Sequence, residues 1–336
     1  MMSIEENALE TYRQALIAAG MSVKLSHPLS AATTFRIGGP ADIFVEASSA
    51  EQTATAVLLA RDSGLPLTCL GGGSNILASD IGCDGIVLSA AVRGITFEGT
   101  TAIVGAGESW DDFVKASAES GLAGITAMSG IPGSVGGAIA GNAGAYGECV
   151  SDRLIDVRVV DQDGAIATIP ASAIEFSYRD SSLKETKQVI VEARFALDES
   201  DPLELVSRRE DILATRRGKH PDHTLATAGS FFRNIDAADE RARVRSRLEL
   251  PDDGRRIAAG LLLDHAGARG MSVGDASVYE KHANIIVNRG HARASDVIEL
   301  SNGMRDAVAQ RFDILLTPEV RWIGRPQPGI DAWMGE

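Results

Sequence analysis

A chain of 336 residues is longer than one hydrophobic core accommodates, so two or three domains are expected. Hydrophobic residues make up 44% and charged residues 23%, the balance of an ordinary globular protein. The formal charge of −14 argues against nucleic acid as a partner, and it obliges any anionic ligand to be held by local donors. Cys69, Cys83 and Cys149 are widely spaced with no C-x-x-C pair, which speaks against a disulfide framework or a structural zinc and for a reducing compartment. The opening MMSIEENALE is acidic and lacks the apolar stretch of a leader. No apolar run reaches about 18 residues, so no membrane span and a cytoplasmic location are expected.

Helical spacing runs from Ile4 to Ala19 and stops at Gly20. Asp42–Ala47 reads as a strand. Ser49 with Gln52 three residues on forms a capping-box pattern that opens a helix to about Ser63. Pro66–Leu70 is a short strand that runs into Gly71, Gly72 and Gly73. GIVLS, ITFE and TAIVGAG between residues 85 and 107 are strands, and a helix is expected over Trp110–Glu119. Leu154–Val160 and Ala165–Ile169 flank Asp161-Gln162-Asp163-Gly164, a hairpin signal. Gln188–Leu197 is a further strand. After the acidic break 198–201, helices are expected over Leu203–Arg217, Arg255–Ala266 and Ala294–Phe312. Strands are expected over Ala283–Val287 and Val320–Ile323. From Arg325 the pattern fades, and a loose tail is expected. The result is an α+β arrangement. No G-x-G-x-x-G follows a strand and opens a helix, so a Rossmann nicotinamide domain has no support.

The glycine content carries more information. Ser129–Gly147, SGIPGSVGGAIAGNAGAYG, holds seven glycines in nineteen residues. That costs chain entropy and core volume, while it bares main-chain N–H groups to a ligand such as pyrophosphate. Close packing of a Gly/Ala backbone is the alternative reading. Two separated segments of this kind, this one and GGGSN at Gly71–Asn75, point to one shared dinucleotide ligand. FSYRDS sets Arg179 between Tyr178 and Asp180, either as a solvated pair or as a cation aimed at a carboxylate. In AGSFFRN, Ser230 follows a glycine without a G-x-S-x-G elbow, so proton donation suits it better than covalent attack. Glu319 and Arg321 share a strand face and could pair. The six histidines show no ligand spacing, and no metal is expected.

Taken in order, TTFRIGGPAD, LGGGSN, SGIPGSVGGAIAGNAGAYG, FSYRDS, AGSFFRN, EKHANIIVN and LTPEVRWIG resemble the segments of the UDP-N-acetylenolpyruvoylglucosamine reductase (MurB) family over about residues 22–324. The resemblance implies an FAD-binding fold of the PCMH/vanillyl-alcohol-oxidase type in two subdomains, followed by an α+β substrate domain. Residues 1–82 and 83–215 would form the two subdomains, with 316–324 returning to the second. Residues 216–315 would form the substrate domain and 325–336 a tail. The implied reaction reduces the enolpyruvyl ether of UDP-N-acetylglucosamine to UDP-N-acetylmuramate, with non-covalent FAD as cofactor and NADPH as co-substrate.

By similarity Arg179, Ser230 and Glu319 are the catalytic set, with Ser230 the proton donor. The cofactor-binding set is Arg36, Gly71, Gly72, Gly73, Ser74, Asn75, Ser129, Gly130, Gly133, Ser134, Gly136, Gly137, Asn142 and Gly144. The substrate-binding set is Tyr178, Lys219, Arg233, Asn234, Arg269 and His282. Arg233 stands where many relatives carry Lys. No tyrosine occupies the 197–219 stretch where one subgroup carries a clamping loop, and YEKHANIIVN resembles the loop-lacking type II subgroup. The uridine contact is therefore unassigned, and 244–253 matches nothing. A monomer acting on a small UDP-sugar is expected, with neither nucleic acid nor membrane as partner. The rival readings are a flavin oxidase of the same fold, which would favour a His or Cys for covalent attachment within 70–82, and a nucleotide-sugar binder, which would need none of the three catalytic residues.

Overall fold

A computed structural model describes residues 4–222 and 224–334. The first three residues of the acidic opening, His223 within GKHPDH, and the last two residues of the tail lie outside them. The chain divides into two compact units. One comprises the described residues through His27 with Ala41–Gly72 and Cys83–Gly218. The other comprises Pro28–Pro40, Gly73–Gly82 and the described residues from Lys219 onward.

The first unit is built on two larger sheets. Strands Pro40–Ala47, Cys83–Ala90 and Leu67–Leu70 pair in parallel, because the helix Ala50–Asp62 carries the chain back before Leu67. Ser49 caps that helix by accepting the Gln52 N–H at 3.1 Å. The return bond of the capping box is displaced by one residue: Gln52 Oε1 accepts from the Ser48 N–H and hydroxyl. Tyr12 and Leu16 of the helix Ile4–Ala18 close this core over Ile43, Val45, Ile86 and Leu88. The second sheet is antiparallel, in the order Ile166–Pro170, Leu154–Val160, Val189–Ala196, Thr101–Gly105, Ile95–Glu98. Its hairpin pairs Val160 with Ile166, and Asp161 Oδ1 accepts the N–H groups of Asp163 and Ala165, which is why DQDG turns there. The helix Trp110–Glu119 buries Trp110 and Phe113 against Phe195.

The second unit is an antiparallel sheet in the order Ala226–Ser230, His282–Asn288, Ala276–Tyr279, Ser272–Val273, packed with the helices Ala259–His265 and Ala294–Phe312. Strand Arg321–Ile323 pairs in parallel with Ile76–Ala78. Three local expectations change here. The helix expected from Arg255 starts at Ala259, because Ile257 is drawn into an antiparallel bridge with Ile235. A helix over Ala238–Leu248 escaped notice, because Val244 is its one buried apolar residue. Arg241 and Arg245 of that helix staple the carbonyls of Gly254, Pro251 and Arg255. The tail is not loose: Ile330 and Trp333 are each 2% exposed, within a short helix Ile330–Met334.

Candidate active site

In the first unit the two glycine segments meet through Ser134. Its Oγ accepts the Gly72 N–H at 3.2 Å and the Gly137 N–H at 3.3 Å, the second bond capping the short helix Val135–Ala140. A hydroxyl that accepts twice keeps its proton for a further acceptor. A Cβ on Gly72 would come within 2.9 Å of Gly133 Cα, so bare backbone is required for the approach. Much of the second glycine stretch is spent on the protein itself. The Gly130 N–H donates to Asp111 Oδ1 and the Gly136 N–H to the Ala106 carbonyl. Ser129 Oγ donates to the Thr126 carbonyl, and Gly144 is pressed against Glu148 and Cys149. Asn142 braces its neighbours: Nδ2 donates to the Ser177 carbonyl at 3.0 Å, and Oδ1 accepts the Ser151 N–H at 3.2 Å.

That brace sets the hairpin of Arg179. Phe176–Ser177 pairs with Asp180–Ser181, which leaves Tyr178 and Arg179 as the turn. Arg179 sits at φ 60°, a left-handed conformation that costs a non-glycine residue about 1–3 kcal/mol and persists where surroundings enforce it. Lys184 Nζ donates to the Arg179 carbonyl at 2.7 Å and pairs with Asp180, while Ser181 Oγ donates to the Ala140 carbonyl. The Arg179 guanidinium lies 5.4 Å from the centre of the Tyr178 ring.

The sequence reasoning passed over one cation in this unit. Arg216, on the helix Pro202–Lys219, is half-buried, and burial pushes its pKa down. A Cβ on Gly130 would lie 3.0 Å from its Nε. The same helix fixes the loop through Arg209, whose Nη1 and Nη2 reach the Asp111 carboxylate at 2.6 and 2.8 Å. Burial works against the Asp111 charge, but the bonds from Arg209 and Gly130 hold its carboxyl below the usual range. The charged TRRGK run conceals which Arg is half-buried, so spacing gave no signal for Arg216.

In the second unit the backbone segments that carry Ser230 and Glu319 meet. Ser230 ends its strand opposite Ile285, after an irregularity between Thr227 and Ser230. The Glu319 N–H donates to the Phe231 carbonyl at 2.8 Å, and Asn75 Nδ2 donates to the Glu319 carbonyl at 3.0 Å. The Arg321 N–H in turn donates to the Asn75 carbonyl. Thr34 and Gly73 are joined by the Thr34 N–H, and a Cβ at Gly73 would collide with the Ala32 carbonyl. Ser74 is half-buried beside them. Arg36, at φ 54°, donates to the Thr224 carbonyl, and Asn288 Nδ2 holds the Phe35 and Arg36 carbonyls.

Sequence reasoning missed Asn284 altogether. It is 3% exposed; its Oδ1 accepts the Phe232 N–H, its Nδ2 donates to the Phe232 carbonyl, and its own carbonyl accepts the Phe231 N–H. The backbone that follows Ser230 is thereby clamped on three sides. Only the polar interruption of an apolar strand, HANIIVN, could have marked it.

The expected substrate residues fall into two groups. His282 stacks on His220 at 5.7 Å, and burial lowers its pKa; the Asp264 carboxylate opposes that shift, while the Arg269 and Lys219 charges reinforce it. The Asn284 N–H donates to His282 Nδ1, so the neutral ring carries its proton on Nε2. Arg269 is bound to the Asp264 carboxylate and the Glu280 carbonyl. The Arg233 N–H donates to the Thr317 carbonyl, and Asn234 Oδ1 accepts the Ala259 N–H as a helix cap. Tyr178 and Arg179 belong to the other unit. Among the described residues no group of three or more His, Cys, Asp or Glu is placed to hold a metal, and no helix is long and apolar enough to cross a membrane.

Residues 41–169 match the family model described as FAD binding domain, and residues 220–323 that described as UDP-N-acetylenolpyruvoylglucosamine reductase, C-terminal domain. The chain is 35% identical over 308 residues to the UDP-N-acetylenolpyruvoylglucosamine reductase of Lachnoclostridium phytofermentans, covering 90% of this chain and 93% of that one. It is 37% identical over 308 residues to the protein of the same name from Paracoccus denitrificans, covering 91% and 97%. The crystal structure of the Thermus caldophilus UDP-N-acetylenolpyruvylglucosamine reductase superposes with a TM-score of 0.72 at 31% identity, over 90% of this chain and 99% of that one.

Proposed function

The chain belongs to the UDP-N-acetylenolpyruvoylglucosamine reductase family, and on that premise we propose that it reduces the enolpyruvyl ether of UDP-N-acetylglucosamine to UDP-N-acetylmuramate for peptidoglycan synthesis. NADPH is the donor, FAD the non-covalent carrier, and the enzyme works as a cytoplasmic monomer. The observation that supports this most is the seating of Ser230 beside Glu319, through the bond from the Glu319 N–H to Phe231, within the stretch that matches the family's C-terminal model.

The first unit suits a dinucleotide diphosphate: the bare backbone of Gly71, the remaining proton of Ser134, and the half-buried Arg216 beside Gly130 are donors an anion requires, while the Gly72 N–H holds Ser134 in place. With these we assign Gly73, Ser74, Asn75 and Arg36 to the cofactor, while Ser129, Gly130, Gly133, Gly136, Gly137, Asn142 and Gly144 shape the loop that receives it. Residues 1–82, 83–215 and 316–324 are assigned to the flavin, and 216–315 to the substrate. When bound, FAD held by these residues would supply the hydride-transfer chemistry between NADPH and the vinyl carbon of the substrate.

Hydride delivery places negative charge on the substrate's α-carbon and its carboxylate. Arg179 stabilises that charge more than the neutral ground state, which is the condition for acceleration. Ser230 gives its hydroxyl proton to the α-carbon. Glu319 orients the hydroxyl by hydrogen bonding, since a bare carboxylate facing the developing charge would oppose it. Lys219, Arg233 and Arg269 hold the diphosphate and carboxylate groups, with Tyr178, Asn234 and His282 completing the substrate set. The two rival readings lack a specific observation in their favour.

The purified protein tests this directly. A yellow chromophore that NADPH bleaches without oxygen, and that the enolpyruvyl substrate then restores, is the expected result. A colourless protein that takes up no added FAD would end the reading.

A further inference from the structure

The family match ends at residue 323, yet the residues beyond it return to the Ser230–Glu319 pair. The Arg325 N–H donates to the Gly82 carbonyl at 2.8 Å, and Arg325 Nη1 to the Ile81 carbonyl at 2.6 Å. Gln327 Oε1 accepts from the Ser79 hydroxyl at 3.2 Å and the Asp80 N–H at 3.1 Å. These bonds reverse the chain and aim the helix Ile330–Met334 inward, where Ile330 joins the core that contains Ile298. Trp333, 2% exposed, then meets two rings edge-on: Phe231 at 6.1 Å and Trp322 at 6.4 Å. Phe231 follows Ser230 in the chain and accepts the Glu319 N–H, while Trp322 lies on the strand that Glu319 leads into. One side chain therefore packs against a ring from each of the two segments that carry the pair.

We propose that Trp333 is a positioning residue for the proton-transfer step, and that the segment from Arg325 to Trp333 is a strap fixing the spacing of Ser230 and Glu319. The packing claim stands on the contacts alone; its catalytic consequence rests on the reductase reading. Among the described residues the Trp333 Nε1–H is buried and meets no acceptor, so its role is that of an apolar ring and not of a donor. Phenylalanine supplies such a ring, alanine does not.

The test compares Trp333→Ala and Trp333→Phe in the full chain, by amide exchange and by the two half-reactions. In Trp333→Ala the amides of Glu319 and Phe231 are expected to exchange faster, with the Thr101–Gly105 and Val189–Ala196 strands unchanged. Substrate-driven reoxidation is expected to slow on the order of ten- to hundredfold, while bleaching by NADPH keeps its rate. Trp333→Phe is expected to restore both. Wild-type exchange at Glu319 in folded Trp333→Ala overturns the strap, and equal slowing of both half-reactions overturns its link to proton transfer. Should Trp333→Ala fail to fold, Trp333→Leu takes its place under the same criteria. The exchange measurement is independent of turnover, so a wild type without NADPH chemistry removes the reductase reading while exchange still decides the strap.

Discussion

The Glu319 N–H donates to the carbonyl of Phe231 at 2.8 Å. Through that bond a residue near the end of the chain is held beside the one that follows Ser230, some ninety positions earlier. Asn284 grips Phe231 and Phe232 from the opposite strand, and Asn75 grips Glu319. The backbone that carries the hydroxyl is thus fixed by main-chain bonds and by buried amides.

Ser230→Ala removes the proposed proton donor and nothing from the core, since the side chain is only partly buried. Rapid mixing is expected to show flavin bleaching by NADPH at the wild-type rate, with reoxidation by the enolpyruvyl substrate slowed by about 10²–10⁴-fold. Equal loss in both half-reactions would take the donor role away from Ser230.

Asn284→Ala leaves the Phe232 N–H and carbonyl without the partners that now satisfy both. Each buried orphan costs about 1–3 kcal/mol, so the loss in stability from the two is expected to be about 2–6 kcal/mol. A shift in the urea midpoint at constant slope measures it, and a change below about 1 kcal/mol would mean that water or a shifted strand replaces the amide.

Those two residues mark how far the sequence was readable. Periodicity located most long elements, and Ala294–Phe312 came out with both ends right. The glycine segments were visible by composition, and they meet through Ser134 in a bond within the protein. What composition could not separate was glycine that faces a ligand from glycine that lets backbones touch; Gly130, Gly136 and Gly144 pack against protein. The helix Ala238–Leu248 stayed hidden because arginine–carbonyl bonds, and not an apolar stripe, hold it in place. Asn284 and Trp333 act through partners about fifty and one hundred positions away, a pairing that no local pattern records.

Ser134→Ala tests the junction of the glycine segments. Loss of the cap on the short helix is expected to cost about 1 kcal/mol. Loss of the shared acceptor and of the proposed phosphate donor is expected to weaken FAD binding about tenfold or more, at about 1.5–3 kcal/mol for a charge-assisted bond. Quenching of flavin fluorescence on titration reads the affinity, and an unchanged value would show that the hydroxyl serves only the protein.

Arg216→Met separates charge from packing. Burial disfavours the guanidinium, so an apolar side chain of similar length is expected to leave the melting temperature unchanged or raised. Flavin affinity should nonetheless fall, and its dependence on salt should flatten, because the cation proposed to face phosphate has been removed. Retained affinity with the wild-type salt dependence would release Arg216 from the cofactor and make Arg209, already engaged with Asp111, a purely structural neighbour.

His282 makes stability depend on pH in a direction its surroundings dictate. Burial holds the folded-state pKa below the ordinary value of about 6.5, with the Asp264 carboxylate opposing and the Arg269 and Lys219 charges reinforcing. Above that value the ring is neutral in both states and contributes nothing. As pH falls through it, the unfolded chain takes up a proton that the folded one refuses, and stability drops until the folded pKa is reached. His282→Gln removes this increment, so urea midpoints of the wild type and the variant should diverge between about pH 7.5 and 5.5, with the wild type losing more. Parallel curves would mean that the imidazole is protonated as readily in the fold as in the open chain, and the neutral Nε2–H form inferred from the Asn284 N–H bond to Nδ1 would then be the wrong state.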